Sequence, residues 1–284
     1  MKTVALTGPL AAWRRNAPTP VVFVPTMGAL HQGHAALIRR ARKLAGKNGS
    51  VVVSIFVNPK QFGPKEDLSK YPRPLAKDRV LCAKEGVDLL FHPSVNAMYD
   101  GNASIAITEN SLSGVLCGVS RPGHFDGVCT VVTMLFNLID PEIAVFGEKD
   151  WQQLAVIRRM VRDLKTGVTI QSHPTVREDD GLALSSRNRL LSPKDRQMAP
   201  RIYQALQTSV MEAEEGFSMT VIKRRLSDDL AAIPGAVIDY VEIMDEMTLT
   251  PLKKPIAGVK ARVFVALRFG TVRLIDNMPI KFIR

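Results

Sequence analysis

Up to about residue 174, short β-forming runs alternate with stretches of helical spacing, and no other feature narrows the fold of this chain as much. "VVFVP" at 21 to 25 precedes a helical pattern over about 33 to 45, followed by "VVVSIFVN" at 51 to 58, a helix near 72 to 85 and "VDLLFHP" at 87 to 93. After an irregular stretch the alternation resumes with a helix near 125 to 139, "IAVFGEK" at 143 to 149, a helix from about 151 to 164 and "VTIQSHP" at 168 to 174. Strands separated by helices long enough to cross back over a sheet are βαβ units, so the pattern predicts an α/β fold with a parallel sheet. Ligands of such sheets bind outside the carboxyl ends of the strands. The unusual polar clusters fall there: "PTMGALHQGH" after the first strand, "NPKQFGPKED" after the second and "GEKDWQQ" after a later one.

The pattern changes after the polar segment "REDDGLALSSRNRLLSPKD". Helical stretches near 194 to 214 and 219 to 232 lead into "VIDYVEIMD", "ARVFVALRFG" and "TVRLIDNM", which read as an antiparallel sheet. Helices followed by strands imply a smaller α+β C-terminal domain, and the expected division is residues 1 to 176 and 177 to 284. With 284 residues, 46% of them hydrophobic, the chain can fill one large core or two modest ones, and its length favours two domains.

Charge narrows the partners. A net charge of +11 fits a polyanion only if the basic residues cluster. Here they are scattered among acids at helical spacing, as in "LIRRARKLAGK" and "VIKRRLSDDL", and read as solvated faces of amphipathic helices. No basic patch with interleaved aromatics marks a nucleic-acid surface. The longest nearly apolar run, residues 127 to 139, is too short to span a membrane, and Gly8 and Pro9 interrupt the N-terminal run where a secretory segment would be continuous. Cys82, Cys117 and Cys129 are odd in number and lack paired spacing, so a reducing, cytoplasmic setting is expected.

In "VPTMGALHQGHAALIRR", Gly28 and Gly33 bracket His31, and apolar residues at helical spacing begin at Ala35. His31 and His34 therefore lie at a helix N-terminus, where free backbone N–H groups and the positive dipole end favour an anion. Phosphate handling, ordinary capping or packing, and metal ligation all remain open on these residues alone, though His92, His124 and His173 supply no third ligand at metal-site spacing. In "FGEKDWQQLAVIRRM", Lys149 at a strand end suits a phosphate, while Asp150 and Gln153 also have the spacing of a capping box. A Gln153 amide that closes such a box cannot easily serve a ligand. "ALSSRN" can be a simple turn, and the amides of Asn58 and Gln61 in "NPKQFG" suit either carboxylate or hydroxyl recognition or the building of a loop.

Taken together and in order, "VPTMGALHQGH", "VSIFVNPKQFGPKEDLSKYPR", "RPGHFDGVCTVV", "FGEKDWQQL", "PTVREDDGLALSSRNRLL" and "RLIDN" resemble the pantothenate synthetase family, ligases that join pantoate to β-alanine at the expense of ATP. The resemblance covers nearly the whole chain. It implies a Rossmann-like nucleotidyltransferase domain, a small C-terminal domain that closes over the site, and a homodimer with only small-molecule substrates. It also implies an ATP site at Met27, Gly28, Ala29, Leu30, His31, Gln32, Gly33 and His34, continued by Gly147, Glu148, Lys149 and Asp150, then Val176, Leu184, Ser185, Ser186 and Arg187. His34 would be the proton donor and His31 its partner. Gln61 would contact pantoate and β-alanine, Gln153 pantoate, and Asn58 and Met27 the substrate pocket. Lys60, Pro74 and Cys117 depart from the usual pattern, Cys117 where a glutamate is common.

The reaction so implied runs through pantoyl adenylate. It needs no covalent enzyme intermediate, and the clusters contain donors and cations but no convincing nucleophile-base pair. His31, His34, Lys149, Ser185, Ser186 and Arg187 are suited to aligning and stabilising the phosphates. Mg2+ is expected to travel with ATP, with Asp150 and Asp78 as nearby carboxylates. Two rival readings stand beside this one. Another nucleotidyltransferase of the same fold would need an acceptor-phosphate site in place of the amides, and a nucleic-acid module would bind without turning over ATP.

Overall fold

The computed structural model describes every residue except Lys65, Asp67, Ile283 and Arg284. Two positions of the "FGPKEDLSKYPR" stretch therefore lie outside the described residues. The chain forms two compact units, Met1–Glu148 with Val156–Pro174, and Lys149–Ala155 with Thr175–Arg284.

The first unit runs β1 (Lys2–Val4), α1 (Thr7–Arg14), β2 (Val21–Thr26), α2 (Gln32–Ala45), β3 (Ser50–Ile55), α3 (Leu75–Lys84), β4 (Leu89–Phe91), short helices α4 (Val95–Met98) and α5 (Cys117–Ser120), α6 (His124–Ile139), β5 (Ile143–Gly147), most of α7 (Trp151–Leu164) and β6 (Thr169–His173). Its six strands are all parallel, in the order β1-β4-β3-β2-β5-β6. Both faces are covered. Val22, Val24, Val51 and Val53 pack with Ile38 and Ala41 of α2, and the intervening Phe23 meets Phe136 of α6 edge-on at 6.3 Å. Burial on both faces is why these strands read as continuous apolar runs.

The strand order decides where a ligand can sit. From β2 the chain steps outward through β3 and β4 to one edge, whereas β5 lies on the other side of β2, with Val22 opposite Ile143. The carboxyl ends of β2 and β5 therefore flank the switch point at which α/β sheets open a crevice. The segments that leave this point begin at Met27 and Glu148.

The N-terminus holds structure that the sequence pattern did not announce. β1 is three residues long and exists by pairing with β4 at the sheet edge. α1 packs against α6, and its Arg14 donates to the carbonyls of Ile139 (3.0 Å) and Asp140 (2.7 Å), closing the C-terminus of α6.

The second unit contains α8 (Pro193–Met198), α9 (Arg201–Glu214), α10 (Met219–Ala231) and an antiparallel sheet of β7 (Ala236–Asp245), β8 (Ala261–Phe269) and β9 (Val272–Ile280) in the order β7-β8-β9. Leu206, Ile222, Leu226 and Leu230 of the helices bury against Val263, Val265, Leu267 and Phe269 of β8. The single helix expected near 194 to 214 is divided. Ser192 caps α8 through Asp195 N–H at 3.1 Å, and Pro200, which lacks an N–H, separates α8 from α9. No helix among the described residues is long and apolar enough to cross a membrane.

Candidate active site

The loop after β2 is held from below. Thr26 Oγ1 donates to Ser54 O at 2.7 Å and accepts Gly28 N–H at 3.1 Å. Gly28 has φ +81°, and a Cβ there would lie 2.9 Å from Ile55 Cγ2 and 3.1 Å from Asp78 Oδ2, so only glycine fits. Ala29 also takes a left-handed backbone, φ +51°. What holds it is Asp78 of α3, whose carboxylate accepts Ala29 N–H at 2.9 Å and Leu30 N–H at 2.8 Å. Asp78, named from the sequence as a carboxylate near the magnesium, is 2% exposed, and each of its oxygens accepts a backbone amide of this loop.

His31 is the N-cap of α2. Its Nδ1 accepts Gly33 N–H at 3.2 Å, and the Nδ1 of His34 accepts His31 N–H at 3.3 Å, a capping box built from two imidazoles. The rings lie 4.1 Å apart at 48°. An Nδ1 that accepts from the backbone carries no hydrogen, so in each neutral ring the hydrogen sits on Nε2. Capping and anion handling thus use opposite nitrogens of the same ring and do not compete. Among the described residues no group of three His, Cys, Asp or Glu could hold a metal ion.

Beyond β3, Asn58 caps a 3-10 turn over Pro59–Gln61. Asn58 Nδ2 donates to Gln61 Oε1 (3.1 Å) and to Gly127 O (3.0 Å), while its Oδ1 accepts Lys60 N–H (3.2 Å) and the Tyr99 hydroxyl (2.8 Å). Gln61 Nε2 donates to Met27 Sδ at 2.9 Å, so three residues expected in the substrate pocket meet. The start of α6 grips the same turn. His124 Nδ1–H donates to Gln61 O at 2.8 Å, Arg121 donates to that carbonyl at 3.3 Å and to both oxygens of Glu66 at 2.7 Å. A Cβ on Gly127 would lie 2.3 Å from Lys60 O, which is why this helix carries a glycine in its apolar run. Burial raises the Glu66 carboxyl, but the Arg121 hydrogen bond and charge outweigh it and hold the group below its ordinary value. Cys117, the unusual residue of this region, is buried at the start of α5 and forms no disulfide among the described residues.

At the end of β5, Glu148 accepts the Ser172 hydroxyl at 2.8 Å, and a 3-10 turn over Glu148–Asp150 runs directly into α7. The capping box considered for Asp150 and Gln153 is not formed among the described residues. In the second unit, Asn277 Nδ2 donates to Lys149 O at 2.9 Å, and Arg262 donates to Asn277 Oδ1 at 2.6 Å while its guanidinium lies 3.4 Å from the centre of the Trp151 ring. Lys149 Nζ is 3.8 Å from Asp150 Oδ1, too far for a tight pair. Val176 and Leu184 are brought side by side by the Leu184 N–H to Val176 O bond of 2.9 Å. Ser185 then caps the 3-10 turn of Ser186–Leu190, with its Oγ accepting Arg187 N–H at 3.2 Å.

The expected site residues therefore fall into two sets. Met27 to His34, Asn58, Gln61, Gly147 and Glu148 belong to the first unit, and Lys149, Asp150, Gln153, Val176 and Leu184 to Arg187 to the second. Residue reasoning missed Asp78 as a loop anchor, and it missed Tyr99, Arg121, His124, Arg262 and Asn277. The only signal for Arg121, His124 and Asn277 was their place in quoted motifs. Tyr99 and Arg262 left none.

A family model described as pantoate-beta-alanine ligase matches residues 2–279. The chain belongs to that family. It is 50% identical over 282 residues to the pantothenate synthetase of Thermus thermophilus, covering 99% of each chain. It is also 50% identical over 263 residues to that of Akkermansia muciniphila, covering 92% of each. A crystal structure of the Thermus thermophilus enzyme matches with a TM-score of 0.92 at 49% identity, over 98% of this chain and 99% of that one. The pantoate-beta-alanine ligase of Francisella tularensis, solved in complex with beta-gamma ATP and beta-alanine, matches with a TM-score of 0.79 at 33% identity, over 98% and 97%.

Proposed function

We propose the following division of labour for the ATP-dependent condensation of pantoate with β-alanine. The pantoate carboxylate attacks the α-phosphorus of ATP and pyrophosphate leaves. The β-alanine amine then attacks the carbonyl carbon of pantoyl adenylate, losing a proton, and AMP leaves with the oxygen that joined it to the acyl group. His31 and His34 offer Nε2–H groups to the phosphates, and Lys149, Ser185, Ser186 and Arg187 add charge and donors as negative charge builds toward the leaving group. The backbone of Met27 to His34 lines the nucleotide, with Gly28 shaping the turn of the loop and Gln32 and Gly33 at the positive end of α2. Gly147, Glu148, Asp150, Val176 and Leu184 complete the nucleotide contacts. Gln61 and Gln153 recognise pantoate, and Gln61 also meets β-alanine.

The observation that carries the reading is the imidazole capping box. With Nδ1 of His34 committed to a backbone N–H, its Nε2–H is a rigid donor, and it acts on the phosphates as a hydrogen-bond donor with no net proton transfer. Mg2+ would travel with ATP and would supply charge that neutralises the triphosphate. The half-exposed carboxylate of Asp150 would be a protein group able to meet it. Three buried cysteines without a disulfide fit a reducing, cytoplasmic setting, and family membership supports a homodimer.

The test uses pantoate-dependent exchange of pyrophosphate into ATP. In His34→Asn the side-chain oxygen replaces Nδ1 as cap acceptor and only the Nε2 donor is lost. Exchange should fall by about 10²- to 10³-fold with little change in melting temperature. Near-normal exchange in a folded variant would sink the phosphate role.

A further inference from the structure

Asn58 is 1% exposed, Gln61 7% and Tyr99 8%, so three polar side chains lie buried in contact beside the loop after β2. Buried amides are held in one orientation only if their partners have fixed donor or acceptor character. For Asn58 they do. The Lys60 N–H can only donate and the Gly127 carbonyl can only accept, so Oδ1 faces Lys60 and Nδ2 faces Gly127. The Tyr99 hydroxyl adds the shortest contact, 2.8 Å to Oδ1. Burial pushes the Tyr99 phenol up to about 12, so it remains a donor at any working pH. With two donors on Oδ1 and both Nδ2 hydrogens used, Asn58 has no hydrogen-bonding capacity left for a substrate.

Its orientation passes to Gln61. The second Nδ2 hydrogen of Asn58 goes to Gln61 Oε1, which forces Gln61 Nε2 to the other side, where one hydrogen meets Met27 Sδ. Sulfur is a weak acceptor that a substrate oxygen can displace. The ring of Tyr99 secures the whole turn, tilted against Phe56 with centroids 6.1 Å apart and 4.4 Å beneath Lys60 Nζ.

We propose that Tyr99 and Asn58 form a relay, Tyr99 O–H to Asn58 to Gln61, that fixes Gln61 as an N–H donor toward the substrate. Tyr99 is then a positioning residue, and Asn58 acts through Gln61 without touching substrate. The group met by Gln61 Nε2 must be an acceptor, a hydroxyl or carboxylate oxygen. This rests on the reading of Gln61 as a pantoate ligand.

The test is steady-state kinetics and thermal melting of Tyr99→Phe, Gln61→Ala and the double variant. Tyr99→Phe keeps the ring and removes the relay's first donor. It should raise the KM for pantoate about tenfold, the worth of one hydrogen bond of about 1.4 kcal/mol. The KM for ATP should stay within about twofold, and melting should be close to wild type. In the Gln61→Ala background the same change should add nothing, since the relay's target is gone. An unchanged pantoate KM in Tyr99→Phe, or its full effect on top of Gln61→Ala, overturns the relay while leaving Gln61 as a ligand. An unchanged pantoate KM in Gln61→Ala instead overturns the reading on which the relay rests. Asn58→Asp, which keeps the acceptors but cannot donate to Gln61 Oε1, should raise the pantoate KM at least as much, and a wild-type value there also refutes the relay.

Discussion

Replacing Asp78 by alanine removes the acceptor of two buried amides, Ala29 N–H at 2.9 Å and Leu30 N–H at 2.8 Å. Ala29 is fully buried and Leu30 7% exposed, so water cannot easily take over. Each hydrogen bond to a charged group contributes roughly 1.5–3 kcal/mol, for a gross loss of about 3–6 kcal/mol. Part of that is offset because the variant no longer keeps a carboxylate out of water, which places the net cost near the lower end, about 3 kcal/mol. At roughly 2–4 °C per kcal/mol for a unit of this size, Tm should fall by about 6–12 °C. The effect on chemistry should be larger, because the loop turns through the left-handed Ala29 directly into the His31 cap. A displacement of about 1 Å in such a group can cost about 10²-fold in rate. Differential scanning calorimetry and pyrophosphate exchange on one preparation check both. Asp78→Asn, which keeps one acceptor oxygen, should lose about half as much stability. A folded Asp78→Ala with Tm within about 2 °C of wild type and normal exchange would refute the anchoring argument.

Lys149→Ala should abolish pantoate-dependent exchange while leaving the melting temperature close to wild type, because its backbone carbonyl, the part held by Asn277, is retained. Gln153→Ala should raise the KM for pantoate without loss of stability, since no capping contact is given up; a loss of about 1 kcal/mol in urea unfolding with unchanged pantoate kinetics would instead identify a structural role. Glu66 gives a pH signature. Its carboxyl is held below the ordinary 4.5, so its pairing with Arg121 contributes stability above that pH, and the contribution is lost as pH falls through the folded-state value. The melting difference between wild type and Glu66→Gln should therefore be constant from pH 7 to about 5 and close below 4.5; a gap that persists in acid would show that the pair is not its source.

Local rules made the first unit legible to different depths. Residues 21 to 25 read as a strand, observed as Val21–Thr26, because parallel strands covered on both faces need continuous apolar sequence. The α2 start was legible because apolar residues at helical spacing begin at Ala35. β1 was not, because three residues have no intrinsic preference strong enough to mark them, and only an available edge on β4 makes them a strand. α8 and α9 merged in the pattern because helical spacing continues across Pro200 while the hydrogen-bond ladder does not.

The site divides in the same way. That His31 and His34 stand at a helix start, and that amides follow a strand end, could be read along the chain because both depend on neighbours within a few residues. That the loop before His31 is anchored, and that Asn58 is saturated while Gln61 is directed by it, depends on partners far away in sequence that the fold brings in: Asp78 on α3, Tyr99 after α4, and Gly127 on α6. Sequence alone determined which kinds of chemical group this protein has and at which ends of its elements they stand. Only the tertiary structure decided how those groups are aimed, because a hydrogen bond's direction is set by the partner that the fold delivers.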